Sequence, residues 1–344
     1  MYKDKIKLHA KQEAYNKLCA KCDNKTLLPL RSVALDVTSL CNMTCPHCYA
    51  KTFMNKKMIS LELLKKALDE LYELGVFHYI LQGGEAIFDK KRLDFILNNC
   101  HIDESYVTIV SNGYYMNKET IKYLKNKGVD KISLSLDSFD ETIHDSGRMQ
   151  GSYKKVMQAI DDILESGLLC AVSTVVTHND GGGLSQDYKN IVDFAVKKGI
   201  RIDTQIAMPV GEWDGQTENL ITKEDAKDIK NFSLITGKMP NGQYYITRDL
   251  YTTKGDFCPA AVSFMSLTAD GEILPCNFLQ FSLGNIKDTS IKDARDKIMK
   301  SPWFSGKSKL CLCGEDKKFI NEYIVKNKEK IKPLNAYELF FKEK

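Results

Sequence analysis

From Ser32 to about Met208, short β-branched and aliphatic runs alternate with longer stretches whose apolar residues recur at spacings of three and four. The runs predict strands at 32–37, 77–81, 106–110, 131–136, 169–176 and 200–207. The stretches between them predict helices, including 61–74, 118–126, 153–166 and 188–198. Such βα alternation builds a parallel sheet. Six units predict an α/β fold, a partial (β/α)6 TIM-like barrel open on one side. In parallel βα folds chemistry gathers in the loops that follow the strands.

After Pro209 the period changes. A polar connection, 210–219, leads to a helix near 223–232. The runs 262–267 and 273–274, joined by Ala269-Asp-Gly-Glu272, predict a β-hairpin. Helices follow at 291–300 and 319–328, so this part is α+β. Residues before Leu30 predict an amphipathic helix covering the outside of the barrel. The expected division is an N-terminal helical segment (1–30), the barrel (31–240), the hairpin-containing domain (241–320) and a helical tail (321–344). There is no internal repeat and no low-complexity segment.

The 344 residues suffice for one large domain and a smaller one. Lys and Arg number 49 against 45 Asp and Glu, a net charge of +4, so no electrostatic footprint points to nucleic acid. No apolar run approaches the ~20 residues of a membrane span, and the Lys-rich start lacks the apolar core of a signal peptide. A cytoplasmic protein is expected. The eleven cysteines are odd in number and clustered, unlike a secreted disulfide framework, so the clusters are candidate metal ligands.

Cys41, Cys45 and Cys48 follow the first predicted strand within eight residues. Three thiolates hold three irons of a cubane cluster and leave the fourth open to a substrate or cofactor. With His47 beside them, the same residues could instead close a tetrahedral zinc site. Gly83-Gly84-Glu85 and Ser111-Asn112-Gly113 also follow predicted strands and would share one mouth with the cysteines. Ser133, Ser135 and Asp137 alternate onto one face of the fourth strand. Cys258, Cys276, Cys311 and Cys313 supply four thiolates with no obvious open position, for a cluster or a four-thiolate zinc. Cys19 and Cys22 form a Cys-x2-Cys pair without nearby partners. Cys100 and Cys170 belong at the closed end of the barrel, as core residues. The glycine-rich loop 178–183 would be a mobile lid or a plain solvent loop.

The order and spacing of the triplet, the Gly-Gly-Glu strip, the serine strand and Arg148-Met-Gln-Gly151 resemble the radical S-adenosylmethionine (SAM) enzymes. The four later cysteines, with their Gly271-x4-Cys276 hairpin, resemble the SPASM and twitch extensions of that superfamily. The twitch form, with one auxiliary cluster, fits better because no further cysteine follows Cys313. The resemblance implies a [4Fe-4S] cluster on Cys41, Cys45 and Cys48, whose open iron chelates SAM. One electron then splits the sulfonium to methionine and a 5′-deoxyadenosyl radical. It implies a second, auxiliary [4Fe-4S] cluster on Cys258, Cys276, Cys311 and Cys313. Cofactor-binding roles carry over to Gly83, Gly84 and Glu85 (SAM amino group), to Ser135 and Arg148 (SAM carboxylate), and to His47, Tyr49, Ser111, Asn112 and Asp137 around them. Ala86 stands where the family has proline.

The resemblance also implies a flavodoxin- or ferredoxin-type electron donor and a hydrogen-abstracting reaction. A peptide substrate, crosslinked or epimerised, stands slightly ahead of a small molecule such as an aminosugar. The first strand begins near Ser32, leaving no room before it for a recognition domain of about 80 residues, which weakens the peptide reading. An iron–sulfur carrier or scaffold without activity is disfavoured by the SAM-binding strip, which it would not need.

Overall fold

The computed structural model describes residues 5–21, 28–178, 185–239, 246–248 and 257–341. Cys22 and the loop glycines Gly181, Gly182 and Gly183 lie outside them. Six parallel strands, β1 (Ser32–Thr38), β2 (His78–Gly83), β3 (Tyr106–Ser111), β4 (Lys131–Ser135), β5 (Leu169–Val176) and β6 (Arg201–Ile206), pair in chain order. After α1 (Ile6–Lys21), the helices α2 (Leu61–Glu73), α3 (Lys90–Asn99), α4 (Lys118–Asn126), α5 (Glu141–Gly147), α6 (Ser152–Ser166), α7 (Gln186–Lys198) and α8 (Lys223–Thr236) connect or follow them. The partial barrel is therefore present. Side chains of Ser60, Asp89, Asn117 and Ser185 cap α2, α3, α4 and α7 by accepting from backbone N–H groups, which starts those helices where the loops end.

The sheet is wider than six strands. β7 (Ile246–Arg248) adds parallel to β6, and β8 (Phe264–Leu267) adds parallel to β1. β9 (Ile273–Leu274) then pairs antiparallel with β8, forming the predicted hairpin. The hairpin is thus fused to the barrel's edge, because the open side leaves β1 with unpaired backbone groups that β8 satisfies. α9 (Ile291–Ile298) packs on α2. The predicted helix at 319–328 is instead a composite of one α turn (Lys317–Phe319), a π-helical turn (Ile320–Ile324) and a 3-10 turn (Val325–Asn327). α1 is not broadly amphipathic. Of its apolar residues only Leu8 and Tyr15 are buried, while Lys5, just before it, donates to Asp130, Ser105 O and Gly128 O. Cys100 and Cys170 are buried at the closed end, as core residues.

On β1, Val33, Leu35 and Val37 belong to the main apolar core. The barrel interior is polar. Lys131 and Ser133 of β4 both donate to Asp203 Oδ2 of β6, at 2.8 and 2.9 Å. Burial alone would raise Asp203, but Lys131 and Arg201 outweigh it and hold the carboxyl well below its usual range. Nearer the mouth, Asp36 accepts from Gln82 Nε2 at 3.3 Å. Burial pushes its carboxyl up to about 7, with Asp270 adding to the rise and Gln82 opposing it.

Native Asp36 therefore keeps a proton that the unfolded chain releases near pH 4, and stability falls as pH rises from about 4 to about 7. Asp36→Asn keeps the hydrogen bond without the charge. It is expected to flatten that decline and to stabilise the protein by about 2 kcal/mol at pH 8, read from chemical denaturation between pH 5 and 8. An unchanged pH profile would show that Asp36 carries no such linkage.

Candidate functional site

The cysteine loop leaves β1 at Thr38 and is held at its front by the strip that ends β2. Gly84 N donates to Thr38 O at 2.9 Å, and Glu85 N donates to Leu40 O at 2.8 Å. Both glycines are required by space. A Cβ on Gly84 would lie 2.0 Å from Leu40 O, and one on Gly83, whose φ is +125°, would lie 2.4 Å from Thr38 O. Behind this contact, buried Arg92 of α3 donates to Val37 O and Ile59 O at 3.0 and 2.7 Å. Glu85 is itself buried, and its carboxylate accepts from Asn112 N at 2.7 Å. Burial raises the Glu85 carboxyl, against the hydrogen bonds from Asn112, Ser111 and Ile87. The strip thus joins the first three strand ends.

The back of the loop is held by residues that sequence reasoning missed. After Cys48 comes a 3-10 turn (Tyr49–Phe53), and Gln280 Nε2 donates to Tyr49 O at 2.8 Å. Glu212 N donates to Cys48 O at 3.1 Å from the loop after β6. Gly211 lies so close that a Cβ there would meet Cys48 O at 2.2 Å. The strand-end Pro209-Val-Gly211 was the available signal; nothing local marked Gln280.

Cys41, Cys45 and Cys48 line the mouth of a cavity of about 240 Å³ together with Gly83, Gly84, Glu85, Ser111, Asn112, Ser135, Asp137, Arg148, His47 and Tyr49, so every predicted residue of this group is brought to one place. Burial raises all three thiols, Cys48 to about 11, so an electropositive ligand is needed for them to ionise together. Donors already surround the sulfurs. Met43 N lies 3.4 Å and Asn112 Nδ2 3.9 Å from Cys41 Sγ, and Arg148 Nη1 lies 3.9 Å from Cys45 Sγ. Asn42 Nδ2, beside Cys41, is buried without a partner.

Arg148, just beyond α5, is held by a carboxylate partner that the sequence analysis did not assign to it. Its Nε and Nη2 donate to both oxygens of Asp137, at 2.6 and 3.0 Å. Burial alone would raise Asp137, but Arg148 and His47 hold its carboxyl down at about 2. Burial also works against charge on Arg148, yet Asp137 overrides it and keeps the guanidinium more firmly protonated than usual. The Nη1 edge remains turned toward Cys45. His47 Nε2 lies 3.4 Å from both Asp137 Oδ2 and Arg148 Nη2, and burial pushes its pKa down. Its ring lies 5.9 Å from that of Trp213, a wall residue the sequence did not single out.

Cys258, Cys276, Cys311 and Cys313 converge separately. All four are buried and line one small cavity with Pro259, Ala260, Phe278 and Leu279. Burial pushes every one of these thiols up, Cys276 to about 12, and for Cys311 and Cys313 neighbouring cysteines add to it. Four thiols packed together suit a bound metal group that neutralises them. Phe278 lines this cavity and the larger one, and its ring meets Tyr49 edge-on at 4.8 Å.

An open group of three cysteines at the mouth of a parallel βα barrel, with a closed group of four behind it, is the layout of an iron–sulfur enzyme with an auxiliary cluster. Residues 35–195 match the model of the radical SAM superfamily, and residues 258–315 match that of SPASM, an iron-sulfur cluster-binding domain. The chain thus carries a radical SAM domain followed by a SPASM domain; it is an enzyme whose cofactors are SAM, a [4Fe-4S] cluster and auxiliary iron–sulfur. It is 28% identical to the GTP 3′,8-cyclase of Nautilia profundicola, over 74% of this chain and 83% of that one. It is 25% identical to the subtilosin biosynthesis protein AlbA of Bacillus subtilis, over 81% of this chain and 61% of that one. Its fold resembles that of Streptococcus suis SuiB bound to its precursor peptide SuiA, with a TM-score of 0.61 and 19% identity over 86% of this chain and 70% of that one. No helix among the described residues is long and apolar enough to cross a membrane.

If the Gly84 contact sets the cysteine loop, Gly84→Ala will displace Leu40 and Cys41 while the remote four-cysteine group stays intact. Anaerobic reconstitution is expected to drop from about eight irons per chain to about four. Undiminished iron would show that the loop does not depend on this contact.

Proposed function

We propose that this chain uses SAM to take a hydrogen atom from a residue of a peptide, leading to a crosslink or an epimerised centre. In this reading Cys41, Cys45 and Cys48 hold the cluster whose open iron binds SAM, and Cys258, Cys276, Cys311 and Cys313 hold the auxiliary cluster. The bound cofactors would supply one electron, delivered by a flavodoxin- or ferredoxin-type donor, and a 5′-deoxyadenosyl radical. The protein's own residues position and shield. Gly83 and Gly84 fix the loop, and their carbonyls with Glu85 would face the amino group of SAM. Ser135 and the Nη1 edge of Arg148 would meet its carboxylate, with Asp137 orienting the guanidinium through a planar two-point pair. Ser111, Asn112, His47 and Tyr49 complete the surround. Met208, Trp213 and Phe278 supply apolar walls that exclude water from a reactive carbon radical.

The observation that carries the peptide reading is the charge state of the cavity. Among the described residues its lysine and arginine side chains are Arg148 and Lys51, and both are committed, Arg148 to Asp137 and Lys51 to Glu212 at 2.6 Å. A nucleoside triphosphate needs uncommitted cations for its phosphates. A peptide needs hydrogen-bonding groups and apolar walls, which the cavity has. The likeness to SuiB with its precursor peptide and to AlbA, a bacteriocin biosynthesis protein, points the same way. The small-molecule alternative draws on the identity to GTP 3′,8-cyclase.

Anaerobically reconstituted, reduced protein is expected to release 5′-deoxyadenosine from SAM, and Cys45→Ala to reduce this to background. Candidate precursor peptides encoded beside the gene should increase the yield and emerge two hydrogens lighter, or carry solvent deuterium at an inverted centre. Turnover of GTP or an aminosugar, with every peptide inert, would replace the peptide reading by the small-molecule one.

A further inference from the structure

Two polar side chains at the floor of the cavity have no role in the cofactor arrangement above. Ser173 of β5 sits beside Ser135 of β4 in the sheet register, and Gln205 of β6 pairs with Val175, one inward position further along β5. Both line the mouth cavity, and both line the smaller interior cavity beneath it. They form the layer between the mouth and the barrel's charged base. Ser173 is buried to 9% exposure and Gln205 is half-buried. Neither side chain makes a hydrogen bond within the described protein, although their neighbours below, Lys131, Ser133 and Asp203, are bonded to one another. Both residues line open cavity space, so their polar groups are available to hydrogen-bond a ligand that enters it.

The charges around this layer close on themselves. Arg148 is matched by Asp137, Lys51 by Glu212 and Lys131 by Asp203, while Glu85 is buried against Asn112 N. A carboxylate or ammonium entering over Ser173 and Gln205 would find no unmatched counterion among the described residues that line the cavity. A neutral group finds a carbonyl oxygen and an NH2 side by side on Gln205, plus a hydroxyl on Ser173, which together match the donor and acceptor of an amide or an alcohol.

We infer that Gln205 and Ser173 form the specificity-determining floor of the substrate site, and that they select an uncharged residue, with an amide or hydroxyl within reach, as the one presented to the radical. This rests on the peptide reading above and adds the class of residue. In the substrate-bound state the Gln205 amide pairs with the group presented, and the Ser173 hydroxyl takes the remaining acceptor or donor.

The test uses reconstituted holoprotein with SAM, kept anaerobic and unreduced so that no turnover occurs. Three capped pentapeptides, acetyl-Gly-Gly-Xaa-Gly-Gly-amide with Thr, Asp or Lys at the centre, are compared by equilibrium dialysis. The Thr peptide is expected to bind about tenfold tighter than either charged one, as an unpaired charge requires. Gln205→Glu should raise Lys-peptide affinity about tenfold, and Gln205→Lys should do the same for the Asp peptide, with SAM affinity unchanged in both. Ser173→Ala, a smaller change, should weaken the Thr peptide about threefold. Selectivity that neither Gln205 variant alters would overturn the inference. So would a tenfold loss of SAM affinity with selectivity unchanged, which would place the floor in the cofactor site. If no peptide binds wild-type protein that still binds SAM, the peptide reading itself fails.

Discussion

The contact on which the site depends is the approach of two backbones at the ends of β1 and β2. Gly83 and Gly84 come so near to Thr38 O and Leu40 O that no side chain fits between them. The hydrogen bonds from Gly84 N and Glu85 N then set where the cysteine loop begins. A loop carrying three metal ligands must present its sulfurs reproducibly, and side-chain packing alone, with its rotamer freedom, is a poorer way to do it than main-chain bonding to a strand end. Arg92 from behind and Asn112 N through Glu85 tie the same contact to α3 and β3. The Gly-Gly-Glu strip is therefore a structural clamp as well as a candidate SAM contact.

The second half of the chain completes that clamp. Gln280 reaches Tyr49 O, the loop after β6 reaches Cys48 O, and Phe278 separates the two cavities while touching Tyr49. The two cysteine groups thus differ in setting although they are neighbours in space. The first three are partly exposed at a roomy mouth, and the last four are buried around a small cavity. An open edge and a closed pocket suit, respectively, a cluster that exchanges a ligand and one that does not.

Much of this was legible because parallel strands buried on both faces are written as compact β-branched runs, and the six barrel strands fall within about two residues of their expected ends. The cysteine groups, the glycine strip and Arg148 were legible because their chemistry is local in sequence. What the sequence hid is non-local. The hairpin was visible, but not the parallel pairing of β8 with β1, since Ser32 and Phe264 are far apart in the chain and the pairing follows from the barrel's open edge. Arg148 was marked as a carboxylate-binding group, but not its pairing with Asp137, on the far side of α5, which takes two of its donor positions. Gln280 and Trp213 carried no pattern at all, and only their positions in the folded chain give them a part in the site. The change from α to π to 3-10 turns along the helical run after Lys317 likewise had no signal in the sequence, and Phe319, Tyr323 and Phe340 pack against one another there.

In this reading the three-cysteine group leaves a ligand position open and the four-cysteine group does not. Electron paramagnetic resonance of the reconstituted, dithionite-reduced protein, with and without SAM, tests it directly. Two reduced-cluster signals are expected, of which SAM shifts one, and the shifted signal should be absent from Cys41→Ala but present in Cys276→Ala. A SAM-induced shift that persists without Cys41, or disappears with Cys276 while the first signal remains, would contradict it.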